Sequence, residues 1–404
     1  MDLITQTLSY ERKRALTSGI IDTASTTFLL LIAVKWFEAG NITKAIIAAG
    51  SSFGFLLSPL AVYFAERSQK TISVIAAFLS IFGAIAFLLA AVFPTLSLFV
   101  IASSIGIATT SASIPLYTQM YQENYPKELR GALFSQVVIL RIISAGVFSL
   151  VVGWAISGRI QYFPILMLFY SASMLLGGFF LLRIKTTSVS STERARLFRG
   201  FHFLKVDRVF RQTSICWMLL GFGNLMMIPL RIEYLAHEKY GLLYSAFEVA
   251  LLVSVIPNIA RVLLSGYWGK LFDRMNFFAL RVWINFGFMI GIASFFLSDS
   301  IIGLVAGSIL YGVSNAGGEI AWNLWVTKFA PPNRVASYMS VHVFLTGIRG
   351  VIAPVVGFYL IDEVSLATLT GVSLLLMLIA SALLIPEYKL EKLRESELRA
   401  KSTH

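Results

Sequence analysis

Ionisable side chains occur inside long apolar stretches of this sequence, where charge is seldom tolerated. The four placed deepest in such stretches are Asp22, Arg141, Glu319 and Arg349. Each stretch is about 20 residues or longer, the length that crosses the hydrocarbon core of a bilayer. An ionised group at mid-membrane costs about 2.5–3.5 kcal/mol on insertion scales, so these residues are candidates for solute binding or proton transfer.

The two kinds of charge predict two kinds of chemistry. Arg141 and Arg349 favour a solute that carries negative charge, such as a carboxylate or phosphate. Asp22 or Glu319 could couple transport to protons if its pKa changed as nearby charges move. Histidine side chains in general titrate near neutral pH, which makes His342 a further candidate, although its shallower position also fits a packing histidine.

Polar and aromatic neighbours extend the candidate site along two apolar stretches. Flat aromatic walls and amide groups are typical of a cavity lining, whereas nearby glycines also serve close helix packing. The candidates are Asn315, Trp322 and Asn323 in one stretch and Tyr117 and Gln119 in the other.

The apolar stretches themselves predict membrane-spanning helices. The chain is 57% hydrophobic and 13% charged, too apolar for a protein whose surface faces water. Continuous apolar runs without alternation exclude a β-barrel and leave helices. The predicted spans are residues 15–37, 42–64, 71–93, 96–120, 133–157, 162–183, 213–235, 243–264, 277–298, 301–328, 335–361 and 366–386.

The positive charge lies between the spans and indicates their orientation. Most of the 33 Lys and Arg residues fall in the segments that share a side with both termini, which predicts a cytoplasmic location for both. This distribution accounts for the net charge of +12 without a nucleic-acid partner. Within the polar segment 183–212, basic residues alternate with apolar ones and predict an amphipathic helix on anionic headgroups. A solvated linker is the alternative.

Matched residues divide the spans into two related halves. Glu66-Arg67 and Asp273-Arg274 follow the second and eighth spans, while Arg130 and Arg334 follow the fourth and tenth. We therefore predict an N-terminal six-helix half over 1–182, a linker over 183–212, and a C-terminal half with a cytoplasmic tail over 213–404.

The stretch from Gly269 to Asn276 resembles the signature loop of the major facilitator superfamily, departing at its final glycine. The resemblance implies an all-α membrane protein with twelve transmembrane helices in two pseudo-symmetric halves. It also implies a self-contained monomer. Acid-Arg loops of this kind could latch helices together in one access state. The candidate latch residues are Gly269, Asp273, Arg274, Glu66, Arg67 and Arg261.

These features predict a secondary active transporter of the cell membrane. The expected solute is small and organic, with anionic character and proton coupling as hypotheses. A drug or amphipathic-solute exporter, a lipid flippase and a non-transporting sensor are the alternatives. One cysteine, Cys216, and four scattered histidines give no metal-ligand or nucleophile pattern, so neither an enzyme nor a cofactor is expected.

Overall fold

The structure is a computed structural model that describes residues 2–156, 159–188, 197–244 and 246–402. Over these residues it has 11 helices long and apolar enough to span a membrane, and a further span formed by two helices that meet at 52°. The predicted all-α membrane fold is therefore confirmed. The spans are α1 (Leu3–Lys35), α2 (Ile42–Ala48 with Gly50–Ser68), α3 (Ile72–Val92), α4 (Leu96–Asn124), α5 (Arg130–Ile156), α6 (Ile160–Leu182), α7 (Arg208–Leu235), α8 (Glu248–Arg274), α9 (Phe277–Phe296), α10 (Ile301–Lys328), α11 (Pro332–Ile361) and α12 (Leu366–Tyr388).

Two helices begin at least five residues earlier than the apolar pattern predicts. The first span is predicted from residue 15, yet α1 begins at Leu3, and its added segment contains Glu11 and Arg14, which pair on one helical face. The seventh is predicted from residue 213, yet α7 begins at Arg208. There the side chain of Asp207 caps the helix by accepting a hydrogen bond from the Phe210 backbone N–H at 2.9 Å.

The predicted amphipathic helix of the linker is not continuous over its described residues. A 3-10 turn, Arg199–His202, is followed by a short helix, Phe203–Val206, and the extended backbone of Asp207 then separates that helix from α7. Phe198 and Phe201 contact the ring of Phe344, with centroids 6.5 and 5.2 Å away, so these apolar residues pack on protein. The prediction for Arg194 and Arg196 lies outside the described residues.

The chain forms two compact units. The first comprises Met1–Phe201 and Phe329–Ile348, and the second comprises His202–Lys328 and Arg349–His404. Within the first unit α1 packs on α5 and α6, α3 packs on α4 and α6, and α2 packs on α4. Its core contains a cluster of rings that includes Phe37, Phe99 and Phe163.

The second unit repeats this pattern six helices later. Within it α7 packs on α12, α9 packs on α10 and α12, and α8 packs on α10. A fully buried indole, Trp325, stacks on Phe210 and Phe277 at centroid distances of 5.7 and 6.1 Å. The repeated pairing is the arrangement expected of two related six-helix halves. The boundaries of those halves at 182 and 213 stay a prediction.

Several spans are interrupted near charged residues. A π-helical turn, Ala24–Phe28, follows Asp22 in α1, and a second, Leu251–Val255, precedes Arg261 in α8. Such turns widen the helix locally and recur at functional sites. The seventh span is broken between Met227 and Leu230, at Pro229.

Candidate functional site

Asp22 and Arg141 form an ion pair that joins α1 to α5 in the first unit. Arg141 Nε lies 3.1 Å from Asp22 Oδ2. The side chains are 29% and 44% exposed for Arg141 and Asp22, respectively. The pair thus unites two of the four predicted central residues, and neither is enclosed by the protein.

A glycine sets the spacing of the helices that carry this pair. A Cβ at Gly19 would lie against the carbonyl oxygen of Arg141, and also 2.8 Å from Ser144 Cβ and 2.9 Å from Ala145 N. Only a residue without a side chain lets α1 approach α5 this closely. Asp22 follows Gly19 by one helical turn, so this contact also positions its carboxylate.

Glu319 and Arg261 form a second ion pair, between α10 and α8 of the second unit. Arg261 Nη2 donates to Glu319 Oε2 at 2.6 Å, and Arg261 Nη1 donates to Asn258 Oδ1 at 2.8 Å. The side chains of Arg261 and Glu319 are 20% and 10% exposed, less than those of the first pair. The structure therefore joins Arg261, predicted as part of the latch, to a predicted central residue.

The polar and aromatic candidates of α10 share one helical face with Glu319, since Asn315 lies four residues before it and Trp322 and Asn323 lie three and four residues after it. Asn323 Nδ2 donates to the Glu319 carbonyl oxygen at 2.9 Å, within the same helix. Asn315 and Trp322 are half-buried. A Cβ at Gly317 would come within 2.7 Å of the Trp268 ring, so this glycine serves helix packing.

Arg349 is buried in α11 against α7. Its Nη1 donates to the Trp217 carbonyl oxygen. A Cβ at Gly221 would lie 2.5 Å from the guanidinium carbon, so that glycine makes room for the arginine. His342, in the part of α11 that belongs to the first unit, is 1% exposed.

Tyr117 and Gln119 take part in two different contacts of the first unit. The Tyr117 ring lies 4.3 Å from the Arg14 guanidinium carbon. Gln119 Nε2 donates to the Pro332 carbonyl oxygen at 2.7 Å, and its Oε1 accepts from the Ala336 N–H at 3.0 Å. Gln119 is 3% exposed and holds the start of α11, so in this structure it does not line a solute cavity.

A buried charge cluster in α1 was not among the residues predicted from the sequence. Glu11 is 0% exposed and accepts from Arg14 Nε at 2.6 Å and Nη2 at 2.7 Å. The hydroxyl of Tyr121 donates to Glu11 at 2.6 Å. Arg14 also borders a cavity of about 30 Å³ whose lining includes Thr17 and Ser18. The spacing of acid and arginine by three residues was the available signal.

The predicted latch residues other than Arg261 lie near helix ends in both units. Glu66 Oε1 accepts from the Ser337 hydroxyl at 3.1 Å, within the first unit. Arg67 donates to the Tyr63 hydroxyl at 2.9 Å. In the second unit Gly269 is buried, Arg274 is exposed, and the Asp273 carbonyl oxygen lies 3.5 Å from Lys328 Nζ. A latch that opens and closes stays a prediction.

Two further arginines of the second unit are buried against aromatic rings. The guanidinium carbon of Arg231 lies 3.5 Å from the Tyr311 centroid and 5.2 Å from that of Phe295. That of Arg281 lies 3.8 Å from the Trp217 centroid. Arg231 and Arg281 are 2% and 3% exposed.

Solved structures with this architecture are membrane transporters. The Escherichia coli fucose:proton symporter FucP is 15% identical, with a TM-score of 0.72, covering 94% of this chain and 97% of its own. The human organic anion transporter MFSD10 is 14% identical, with a TM-score of 0.67 and coverage of 95% and 96%. A bacterial homologue of the iron transporter ferroportin is 17% identical, with a TM-score of 0.69 and coverage of 96% and 99%.

Sequence comparison gives the family directly. No curated protein sequence matches the chain at a significant level. The family model described as Major Facilitator Superfamily matches residues 15–354, most of the chain. The match, the multi-pass helical fold and the transporter neighbours agree. The chain therefore belongs to the major facilitator superfamily and is a secondary transporter of small molecules, not an enzyme.

Proposed function

We propose that this transporter moves a small organic anion together with protons, and that Asp22 and Arg141 are its coupling pair. The observation that carries the proposal is the ion pair itself. It joins two membrane-spanning helices and keeps both side chains partly exposed. Because charges that face lipid are costly, an exposed ion pair at this depth is best explained by a water-filled path.

The pair offers a direct way to link a proton to an anion. While Asp22 is ionised, its carboxylate neutralises the guanidinium of Arg141. Protonation of Asp22 removes that negative charge, and the carboxylate of a solute can then replace it on Arg141. Loss of the proton restores the internal pair and expels the anion. The protein alternates between two neutral arrangements, so it moves solute without leaving a bare charge in the membrane.

Glu319 and Arg261 form a second ion pair between a carboxylate and a guanidinium. Their contact is shorter and less exposed than that of Asp22 and Arg141, which suits a structural pair or a later step of proton transfer. Arg349 adds a further buried positive charge in the second unit. Proton coupling and transport of an organic anion both occur in proteins of this fold, since FucP is a proton symporter and MFSD10 an organic anion transporter.

The proposal is tested by uptake into proteoliposomes containing purified protein. Radiolabelled benzoate and lactate serve as probes, with and without an imposed pH gradient, and the passive entry of each undissociated acid into protein-free liposomes is subtracted. We expect wild-type uptake of one of the acids to follow the gradient. Asp22→Asn should abolish gradient dependence while exchange of internal for external solute persists. Arg141→Gln should abolish both activities.

A matched control is Glu38→Gln, which removes an acid from the exposed loop between α1 and α2. This variant should transport like the wild type. Wild-type uptake at the same rate with and without the pH gradient would exclude proton coupling. Uptake that survives Arg141→Gln would exclude Arg141 as the anion site, whereas a wild type that takes up neither acid would favour a neutral or amphipathic solute.

A further inference from the structure

Arg231 is a buried charge whose guanidinium contacts aromatic rings. The side chain is 2% exposed, and its guanidinium carbon lies 3.5 Å from the centroid of the Tyr311 ring, with Phe295 as a second ring. Its Nε and Nη2 atoms are inaccessible and have no hydrogen-bond partner among the described residues. A cation-π contact with a desolvated ring contributes about 2 kcal/mol. That is less than the several kcal/mol that burial of an ion costs.

Two acids that follow Phe295 and Arg231 closely in the sequence have other partners. Asp299 accepts from the Tyr234 hydroxyl at 3.3 Å. Glu233, two residues after Arg231, lies 3.8 Å from His237. No ion pair between described residues includes Arg231, in contrast to Arg141 and Arg261. The guanidinium therefore retains unused donors that a negatively charged group could accept.

The position of Arg231 lets it move. It lies on the short segment Leu230–Ala236, which follows the break of the seventh span at Pro229. The Arg231 N–H reaches the Ile228 carbonyl oxygen at 3.4 Å, a long hydrogen bond for a helix. Since Pro229 supplies no N–H and the next bond is long, fewer backbone hydrogen bonds hold this segment than hold a continuous helix. A small shift of the Arg231 side chain would separate the guanidinium from Tyr311.

We propose that Arg231 is an anion-binding residue that receives a carboxylate or phosphate group of a small solute in the second unit. Tyr311 and Phe295 hold the guanidinium when no anion is bound, and the oxyanion accepts from Nε and Nη2 when one is present. Guanidinium matches such groups by paired N–H donors. The proposal shares only the anionic class of solute with the proposed function and does not require proton coupling.

The test is thermal unfolding of purified protein in detergent, measured with sodium phosphate or sodium benzoate against sodium chloride at equal ionic strength. We expect one of the two oxyanions to raise the wild-type midpoint in a saturable manner. In Arg231→Met the concentration for half the effect should rise roughly tenfold or more, since charge-assisted hydrogen bonds are lost. Without oxyanion, this variant should unfold at or above the wild-type temperature, because an unmatched buried charge has been removed.

The matched control is Arg281→Met, which removes a second buried, ring-stacked arginine of the same unit. It should keep the wild-type response to oxyanion. A normal response in Arg231→Met, or no oxyanion effect on the wild type, would overturn the proposal. If Arg141→Gln removes the response and Arg231→Met does not, the site proposed here fails and the Asp22–Arg141 site stands. The reverse result supports Arg231 and counts against Arg141 as the anion site.

Discussion

Glu11 and Arg14 are buried, although the charged segment that contains them suggests exposure to solvent. In the sequence they stand beside Arg12 and Lys13, ahead of the first apolar stretch. In the structure Arg12 and Lys13 are exposed, whereas Glu11 and Arg14 turn into the first unit and bind Tyr121. Four consecutive residues thus divide between two environments, because successive side chains on a helix point about 100° apart. The hydropathy of the segment cannot reveal this division.

This cluster gives a prediction at the residue scale. Glu11→Gln should lower the free energy of unfolding by about 3 kcal/mol, since it leaves Arg14 buried without a counter-charge. The double variant Glu11→Gln with Arg14→Met should recover most of that loss, because no unpaired charge then remains. Thermal unfolding in detergent measures both. A double variant as unstable as the sum of the two single variants would show that the ion pair is not the source of the effect.

The sequence also does not predict which charges within the spans form ion pairs with each other. Depth within the apolar stretches correctly singled out Asp22, Arg141 and Glu319 as lying in spans. It could not show that Asp22 meets Arg141, because the two are far apart in the chain. Arg261 and Asp273 stand about 18 Å apart along one helix at 1.5 Å per residue, so Arg261 pairs with Glu319 instead.

At the scale of elements, the close contact between α1 and α5 depends on Gly19. This dependence gives a second prediction. Gly19→Ala should destabilise the protein by about 1–3 kcal/mol, because the new methyl group forces α1 away from the α5 backbone. Asp22 moves with α1, so transport should fall as well. Thermal unfolding and uptake are the measurements.

Gly146→Ala is the matched control on α5, since a Cβ there would meet no atom within 4 Å. We expect no loss of stability and normal uptake, with a gain of up to about 1 kcal/mol from the higher helix propensity of alanine. Equal effects of the two substitutions would show that helix flexibility, and not the contact at Gly19, is responsible.

The architecture of the whole molecule was largely predictable from the sequence. Hydrophobic length located the spans, and the paired loops at Glu66-Arg67 and Asp273-Arg274 indicated the repeat that the helix pairing displays. The interruptions of α1 and α8 by π-helical turns left no such signal. These turns depend on one extra residue within a continuous helix, a local change in winding that the spacing of apolar residues does not mark. Pro229 did mark the break in α7, because a proline removes a backbone donor.

Orientation in the membrane is the last prediction, and it follows from the distribution of charge over the whole chain. The excess of Lys and Arg in the segments on the side of both termini predicts that this side is cytoplasmic.

The chain suits cysteine labelling, since its single cysteine, Cys216, is buried and can be replaced by serine. In that background Lys70→Cys, between α2 and α3, and Glu363→Cys, after α11, are exposed positions on opposite predicted sides. A membrane-impermeant maleimide should label Glu363→Cys in intact cells and Lys70→Cys only after the membrane is opened. Both variants should react equally in detergent, which controls for local reactivity. Labelling of Lys70→Cys alone in intact cells would reverse the orientation, and the basic segments would then require an explanation other than the positive-inside rule.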